Sequence, residues 1–360
     1  MKPNLDKHGI ALNFGSEGGD AFIGVYSGHG EKGKQCVNFC ETTLPKQLAK
    51  FVRQKRVQTY TAQLKAEGKM KQGAWNPNAW PLLSTKEYEH ACKRAFSETK
   101  CMLQKQEEIK DKQSGASALT VSFHGGRMYV CSVGGCGAIL GRRSNRLSLN
   151  EEEEEKCEID EFTEYEGRRT AISLVDDHTL GCQEELERVK SAGAEVQHSV
   201  EDEYASLLYD SEETQTKGNE KSLRVFLPGV EGPGTKFTRS ICDSSLDVIG
   251  IISDPSIISY DLTSDDEILI VASNAVFAFM TNQELMDICS NYYDPLEASE
   301  AVTKAVYDKW IEETNRCEDI TVIVCYFSNL CEPVQRIKMP SDLLGMMDDN
   351  DGIMYDTDDE

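Results

Sequence analysis

The 360-residue sequence lacks several features that would place it in a familiar class of protein. It has no stretch of about 18 consecutive apolar residues, the length that a membrane-spanning helix needs, and residues 1–6 lack the apolar centre of a signal peptide. None of its thirteen cysteines forms a Cys-x-x-Cys pair, and its six histidines show no metal-ligand spacing with them. We therefore expect no membrane association, no structural zinc and reduced cysteines, as in an intracellular, cytoplasmic protein, with a nuclear location left open.

Positive charge is also scarce. Lysine and arginine number 38 against 62 aspartate and glutamate residues, which gives a formal net charge of −24 at pH 7. Phosphate backbones and anionic lipids attract positively charged surfaces, so this balance argues against nucleic acid and membrane as partners. Hydrophobic residues make up 39% of the chain, which is enough to build a core and argues against a wholly disordered chain.

Apolar runs and helical periodicity predict the main elements. Residues 21–26 form a fully apolar run that ends at a glycine turn, which indicates a buried strand. A helix is predicted over residues 34–51, where Pro45 would kink or divide it, and Ser84 with Glu87 forms a capping box that starts another helix. Further strands are predicted at 116–123, 128–133, 138–140, 266–272 and 320–327, with helices after Thr281 and Asp294. Strands and helices come in groups rather than in strict alternation, which favours an α+β layered domain.

Five sequence motifs, in one order along the chain, resemble those of a known family. Residues 22–30 end in Ser-Gly-His-Gly, similar to a strand that ends in Asp-Gly-His-Gly. The other matches are residues 114–118 with 130–140, 177–178 with 184–196, 233–243, and 268–279 with 318–321. Through these motifs, residues 4–327 resemble the metal-dependent protein phosphatase 2C family, in its plant and protist form.

The resemblance implies an α+β fold of two packed antiparallel β-sheets flanked by helix pairs, a four-layer sandwich. It also implies hydrolysis of phosphoserine and phosphothreonine in phosphoprotein partners, at a centre that holds two Mg²⁺ or Mn²⁺ ions. In that chemistry carboxylates offset the charge of the ions, a bridging water attacks, and a histidine assists the leaving oxygen. The domain would span residues 1–332, with its N-terminal strand missing and insertions near 52–83, 150–167 and 199–222. Residues 333–360 would form an acidic, flexible tail.

Matched one position at a time, the sequence departs from the family at several metal-ligand positions. Ser27 stands where the resemblance places the aspartate that bridges the two ions, and its hydroxyl carries no charge. Gly135 stands at the aspartate associated with an extra ion, and Asn274 replaces the aspartate of an Ala-Ser-Asp-Gly motif. The position of the family's phosphate-binding arginine falls on Met1, so the residues that would bind substrate stay unknown.

Other positions keep their chemistry. His29 matches the family's general acid, and Asp6 falls at an acidic position near the metals. Gly28 can still offer its backbone carbonyl. Glu318 is one methylene longer than the ligand aspartate that it replaces, and Asp319 keeps a carboxylate beside it.

The replaced carboxylates lead to a functional prediction. With at least three of them replaced by neutral groups, the remaining charge does not balance two divalent ions in a partly desolvated cleft. We therefore expect a catalytically impaired or inactive pseudophosphatase that serves as a binding, scaffolding or regulatory module, without a metal cofactor at full occupancy.

Two alternatives stay open. The first is an active enzyme that keeps Mg²⁺ or Mn²⁺ at an altered site, using Asp6, Gly28, Glu318 and Asp319. The second is a structural component of a larger assembly. It would hold protein partners through the basic segment 50–71, the glutamate run 151–155 or the acidic tail. Neither the partner nor the oligomeric state follows from the sequence.

Overall fold

Short apolar segments form the central strands of the fold, and amphipathic segments form its helices. The computed structural model describes residues 4–14, 20–68, 81–109, 112–143, 169–198, 223–230 and 234–327. The strands are β1 (Asp6–Leu12), β2 (Ala21–His29), β3 (Gly115–His124), β4 (Arg127–Val133), β5 (Gly137–Arg143), β6 (Arg169–Ser173), β7 (Glu195–His198), β8 (Leu223–Phe226), β9 (Ile241–Cys242), β10 (Ser256–Asp261), β11 (Asp266–Ala272) and β12 (Val322–Tyr326). The helices are α1 (Gly33–Ala66), α2 (Thr85–Gln104), α3 (Gln183–Ser191), α4 (Asn282–Ser290) and α5 (Pro295–Thr314).

The strands form two large sheets and one small one. The first large sheet has the order β1-β2-β3-β4-β10, with β9 also paired to β3, and the second has the order β12-β11-β5-β6. Strands β7 and β8 make a separate two-stranded sheet. Neighbouring strands in these sheets run antiparallel.

The two large sheets pack face to face. Successive side chains of a strand lie on opposite faces, so a strand that is covered on both sides is apolar throughout. In β2, Ile23 and Val25 join Leu269 and Val271 of β11 in the cluster between the sheets, whereas Tyr26 lies in the cluster formed with α1 and α2. This double burial explains the uninterrupted apolar run that predicted β2.

A second helix pair covers the other face of the second sheet. Leu285 of α4 and Val302 of α5 share a cluster with Ile270 of β11 and Val324 of β12. The resulting order is helix pair, sheet, sheet, helix pair. The predicted α+β fold of two packed antiparallel sheets flanked by helix pairs is therefore confirmed.

The predicted helix starts are confirmed by their capping contacts. Glu87 Oε2 accepts hydrogen bonds from the backbone N–H (3.0 Å) and hydroxyl (2.8 Å) of Ser84 before α2. The backbone N–H of Thr281 donates to the side chain of Glu284 at 2.7 Å before α4. Asp294 Oδ1 accepts from the N–H of Leu296 at 2.7 Å at the start of α5. These contacts satisfy backbone groups that a helix start leaves without partners.

The predicted end of the first helix at residue 51 is wrong. Helix α1 continues to Ala66 and includes Pro45 without a break in the assigned helix. The continuation is stabilised because Val52, Arg56 and Tyr60 extend its buried face, and Arg56 Nε donates to the carbonyl of Pro81 at 3.1 Å. The basic residues between 50 and 66 therefore lie on a long helix.

Sequence patterns missed the half-exposed strands. Strands β1, β6, β7, β8 and β10 alternate or mix buried and exposed positions and lack a long apolar run. The final strand is shorter than the predicted 320–327. These strands lie at sheet edges or outside the two large sheets, where one face or one edge stays in contact with solvent.

Several predictions concern parts of the chain outside the described residues. They include the insertions at 150–167 and 199–222, the glutamate run 151–155, the tail 333–360 and the arginine position at Met1. Within the described ranges, every cysteine is a free thiol. In the same ranges, no helix combines the length and the apolar character needed to cross a membrane.

The contact between the two large sheets should carry much of the stability. Leu119 of β3 is fully buried between them, whereas Leu12 of β1 is 72% exposed. We expect Leu119→Ala to lower the free energy of unfolding by about 2–5 kcal/mol, because it removes buried apolar contacts and leaves a cavity. Urea denaturation of the two single variants measures the difference. Leu12→Ala is the matched control and should change stability by less than about 1 kcal/mol; equal losses in the two variants would contradict the assigned packing.

Candidate functional site

The candidate site lies where the ends of both large sheets meet. Asp6 and Ser27 are paired across β1 and β2. The backbone of Leu5 joins the two sheets, because its N–H donates to Asp319 Oδ2 at 2.7 Å and its carbonyl accepts from the N–H of Gly28 at 3.0 Å. The structure thus brings together four of the predicted site residues: Asp6, Ser27, Gly28 and Asp319.

Asp6 is the buried carboxylate of this group. The residue is 6% exposed, and its Oδ2 atom has no hydrogen-bond partner among the described residues. Burial raises the pKa of Asp6 to about 6, while the hydroxyls of Ser27, Ser273 and Thr321 oppose that rise and the charge of Asp319 adds to it. Burial at the centre therefore disfavours the charged form of Asp6.

The turn between β4 and β5 forms a second wall of the site. The N–H of Gly134 donates to His178 Nδ1 at 3.2 Å, and the N–H of Gly135 donates to the hydroxyl of Ser117 at 3.0 Å. Gly134 has a φ of 86°, a conformation that favours glycine. Two side chains from neighbouring segments thus hold the turn through its backbone.

His178 is neutral in this position. Burial, followed by the nearby Arg239 charge, lowers the pKa of His178 to about 4. Because Nδ1 accepts the Gly134 N–H, the ring proton lies on Nε2, which is 2.8 Å from the hydroxyl of Ser256. The histidine of the 177–178 motif therefore has a structural role at the turn.

Gly135 and Asn274 lie close to each other. A Cβ atom added at Gly135 would lie 3.1 Å from Asn274 Oδ1. Asn274 begins the short 3-10 helix Asn274–Phe277 after β11. The preceding residue, Ser273, exchanges backbone and hydroxyl hydrogen bonds with Thr321 beside β12 (2.9 and 3.0 Å). All three positions at which the resemblance implies a carboxylate, Ser27, Gly135 and Asn274, thus border the same region between the sheets.

Cys136 fills space inside this region. The residue is buried, and burial raises the pKa of its thiol above the ordinary value, with Asp6 as the next cause. Backbone N–H groups of Ser27 and Asn274 oppose the rise, which places the thiol between two of the replaced ligand positions. A buried thiol of raised pKa acts as a packing group.

His29 has a partner that the sequence reasoning did not assign. Its Nε2 atom lies 2.5 Å from Asp243 Oδ2, and the side chain of His29 is 33% exposed while that of Asp243 is 4% exposed. Asp243 adopts a φ of 51°, and its N–H donates to the carbonyl of Ser114 at 3.1 Å. A Cβ atom at Gly115 would lie 2.4 Å from Asp243 Oδ2, so this glycine makes room for the carboxylate. Asp243 is the last residue of the 233–243 motif. Its place in that motif was the one feature of the sequence that could have indicated a role at the site.

Glu318 does not join the buried group. It is exposed and lines an open groove of about 610 Å³ together with Asn4, Asp319 and residues of α5 such as Tyr307. Asp319 faces both regions, because its carboxylate also accepts from Leu5. Glu318 and Asp319 thus both line the groove, and Asp319 also contacts the backbone of Leu5.

The residues present do not fit two divalent ions. In the described part of the chain, no group of three or more histidine, cysteine, aspartate or glutamate residues could hold a metal ion. Asp6 and Asp319 provide the carboxylates at the centre, and one oxygen of Asp319 already accepts a backbone N–H. Ser27 and Asn274 supply only neutral oxygens, whereas hard divalent cations are usually held by several carboxylates.

Comparison with known proteins agrees with the fold and the motifs. The family model described as protein phosphatase 2C matches residues 1–314. Probable protein phosphatase 2C 35 of Arabidopsis thaliana is 29% identical over 334 residues, covering 91% of this chain and 80% of that protein. Probable protein phosphatase 2C 64 of Oryza sativa subsp. japonica is 25% identical over 325 residues, covering 90% of this chain and 62% of that protein. The solved serine-threonine phosphatase 2C from Toxoplasma gondii has a TM-score of 0.64 and 13% identity, covering 91% of this chain and 92% of that chain.

The structure is that of a two-sheet α+β sandwich whose site lies at the sheet ends. The chain belongs to the protein phosphatase 2C family. Members of this family act on phosphoproteins and generally use Mg²⁺ or Mn²⁺ ions.

A buried ion-pair network joins helix α3 to residues 238–239, which lie next to His178. Glu185 of α3 is 3% exposed and accepts hydrogen bonds from Arg188 (2.5 Å), from Arg239 (2.7 Å) and from the hydroxyl of Thr238. Burial alone would raise the pKa of Glu185, but these bonds outweigh it and lower the pKa to about 2. The ionised carboxylate is therefore part of the folded structure.

This network predicts a pH dependence of stability. Because the pKa of Glu185 falls from its ordinary 4.5 to about 2 on folding, its contribution is present above pH 4.5 and is lost as the pH falls toward 2. We expect Glu185→Gln to lower the free energy of unfolding at pH 7 by up to about 3 kcal/mol. Urea denaturation between pH 7 and pH 3 should show the gap between variant and wild type narrowing in acid.

Glu184→Gln is the control on the same helix, because Glu184 is exposed. It should change stability little at any pH. If Glu185→Gln lowered the free energy of unfolding by the same amount at pH 7 and at pH 3, that result would contradict the lowered pKa of Glu185.

Proposed function

We propose that this protein is a catalytically impaired or inactive member of the protein phosphatase 2C family that acts as a binding, scaffolding or regulatory module. One observation carries the proposal: the replaced ligand positions Ser27, Gly135 and Asn274 border one region of an intact sandwich, and none of them supplies a carboxylate. The loss of charge is concentrated at the centre while the apolar layers around it are complete.

The amount of negative charge missing from the site supports impaired metal binding and catalysis. Two doubly charged ions about 4 Å apart repel each other by about 17 kcal/mol at an effective dielectric constant of about 20. Several carboxylates must offset that repulsion and the cost of desolvating the ions. Loss of groups outside the ligand set already costs roughly 10–100-fold in metal affinity, and direct ligands should matter more.

The retained features support a binding role. The backbone around Gly28 and the pairing of His29 with Asp243 keep the shape of the site without the metal ligands. Because family members act on phosphoproteins, the partners proposed here are proteins or phosphoproteins, with nucleic acid and membranes disfavoured by the net charge of −24.

A second candidate is an active phosphatase with an altered metal site. The His29–Asp243 pair favours it, because a histidine held at 2.5 Å by a buried carboxylate is oriented for proton transfer. In this case Asp6 and Asp319 would contribute to a site of fewer ions, and Glu318 would have to move toward them from its exposed position.

Metal dependence separates the two candidates. For the inactive member, millimolar Mn²⁺ should leave the melting temperature unchanged, because a ligand that does not bind the folded state cannot stabilise it. Hydrolysis of p-nitrophenyl phosphate with Mn²⁺ should equal the rate without enzyme. The Toxoplasma gondii serine-threonine phosphatase 2C, assayed in parallel, checks that the assay works. Robust Mn²⁺-dependent turnover by this protein would refute the proposal and favour the second candidate.

Restoring negative charge at the site tests whether the missing carboxylates are the reason that Mn²⁺ does not bind. We expect the double variant Ser27→Asp and Asn274→Asp to gain Mn²⁺-dependent thermal stabilisation, of about 2.7 kcal/mol when the Mn²⁺ concentration is 100 times its Kd. Titration calorimetry and thermal melts measure it. The matched control is Ser27→Asn with Asn274 unchanged, which keeps the site neutral and should gain nothing. An equal response to Mn²⁺ in the control and in the aspartate variant would show that charge is not the limiting factor.

A further inference from the structure

An aromatic ring lies where a side chain at position 135 would have to go. A Cβ atom added at Gly135 would lie 2.3 and 2.4 Å from the Cε1 and Cζ atoms of Phe237, and 3.1 Å from Asn274 Oδ1. Carbon atoms that are not bonded to each other prefer separations of about 3.5–4.0 Å. The Phe237 ring therefore rests directly on the backbone of Gly135 and covers the side of Gly135 that faces Asn274.

The backbone of Phe237 is held on the opposite side of the cleft. Its N–H donates to the hydroxyl of Thr235 at 3.2 Å, and the residue forms an antiparallel bridge with Thr179. The next residue, Thr238, donates its N–H to the carbonyl of His178 at 2.9 Å, and its carbonyl accepts from Arg188 at 2.9 Å. The ring thus projects from a segment that is fixed on both sides.

One residue, His178, contacts both the turn and the segment that carries the ring. His178 accepts the Gly134 N–H through its side chain (3.2 Å) and the Thr238 N–H through its backbone carbonyl (2.9 Å). The residues next to Gly135 and next to Phe237 are therefore tied to the same histidine. Because both backbones are held, extra volume at position 135 can be accommodated only if the ring itself turns away.

We propose that Phe237 closes the Gly135 side of the centre and takes the space of the acidic side chain that the family resemblance places at that position. The inference rests on the proposed function in one respect: it explains how the site is packed once that carboxylate is gone. An apolar ring and an acidic ligand exclude each other here, since a carboxylate against the ring would be both overpacked and desolvated.

A double-mutant cycle of Gly135→Ala and Phe237→Ala tests the exclusion without any metal. Gly135→Ala alone should lower the melting temperature by roughly 3–8 °C, because the new methyl group overlaps the ring. In the Phe237→Ala background the same change should shift the melting temperature by less than about 1 °C. Phe237→Leu provides a second, milder background, which should give an intermediate shift and guards against poor folding of the alanine variant.

The matched control is Gly9→Ala in β1. A Cβ atom there would have no heavy atom of the described residues within 4 Å, so this change should have the same small effect with and without Phe237. If Gly135→Ala lowers the melting temperature equally in both backgrounds, or lowers it in neither, the ring does not occupy the space and the proposal fails.

A metal titration extends the test. It also allows a failure of this proposal to be distinguished from a failure of the proposed function. In a protein that carries Ser27→Asp and Asn274→Asp, adding Gly135→Asp should raise Mn²⁺ affinity at least tenfold when Phe237 is replaced by alanine, and should not raise it when Phe237 is present. An equal gain with Phe237 present would overturn the closing role. The Mn²⁺ response of the wild-type protein, by contrast, tests the proposed inactivity and not the ring.

Discussion

The apolar contact between the two large sheets is the constraint on which the rest of the structure depends. Residues such as Val25, Leu119 and Val271 bury one face of each sheet against the other, and burial of apolar surface is the dominant favourable term in folding. Because this contact fixes how the sheets overlap, it also fixes where the strand ends meet. The site is built at those ends from the start of β1, the end of β2, the β4–β5 turn and the segment after β11.

On the proposed function, this arrangement explains how the fold persists without the family's metal chemistry. The four core clusters are built from apolar side chains of the strands and helices, whereas Ser27, Gly135 and Asn274 lie at strand ends and turns. Neutral side chains at the centre add no repulsion in a protein whose net charge is −24. Burial raises the pKa of Asp6. The hydroxyl of Ser27 opposes that rise, and on the proposal made above the Phe237 ring fills the space beside Gly135 with apolar volume.

The sequence predicted the layers of the fold better than the details of the site. Strands covered on both faces, such as β2 and β11, are continuous apolar runs, and the capping boxes at Ser84 and Thr281 mark helix starts locally. The half-exposed strands and the last turns of α1 depend on contacts with distant segments, which no local pattern contains. Motif positions identified Ser27, Gly135 and Asn274, because a missing carboxylate is visible in one residue. Asp243 as the partner of His29, and Phe237 opposite Gly135, required the folded chain, since each contact joins segments about 100 residues apart or more in the sequence.

Leu5 has no chemistry of its own in the site, yet its peptide groups connect the two halves of the sandwich, one through Gly28 and the other through Asp319. The amide proton of Leu5 is hydrogen-bonded to a carboxylate that also faces the open groove beside α5. Its exchange with deuterium therefore reports on separation of the sheet ends, and its NMR signal would respond to anything that settles in the groove. The amide of Leu5 is therefore a spectroscopic probe of ligand binding in a protein that, on the proposal made here, has little or no catalytic activity to measure.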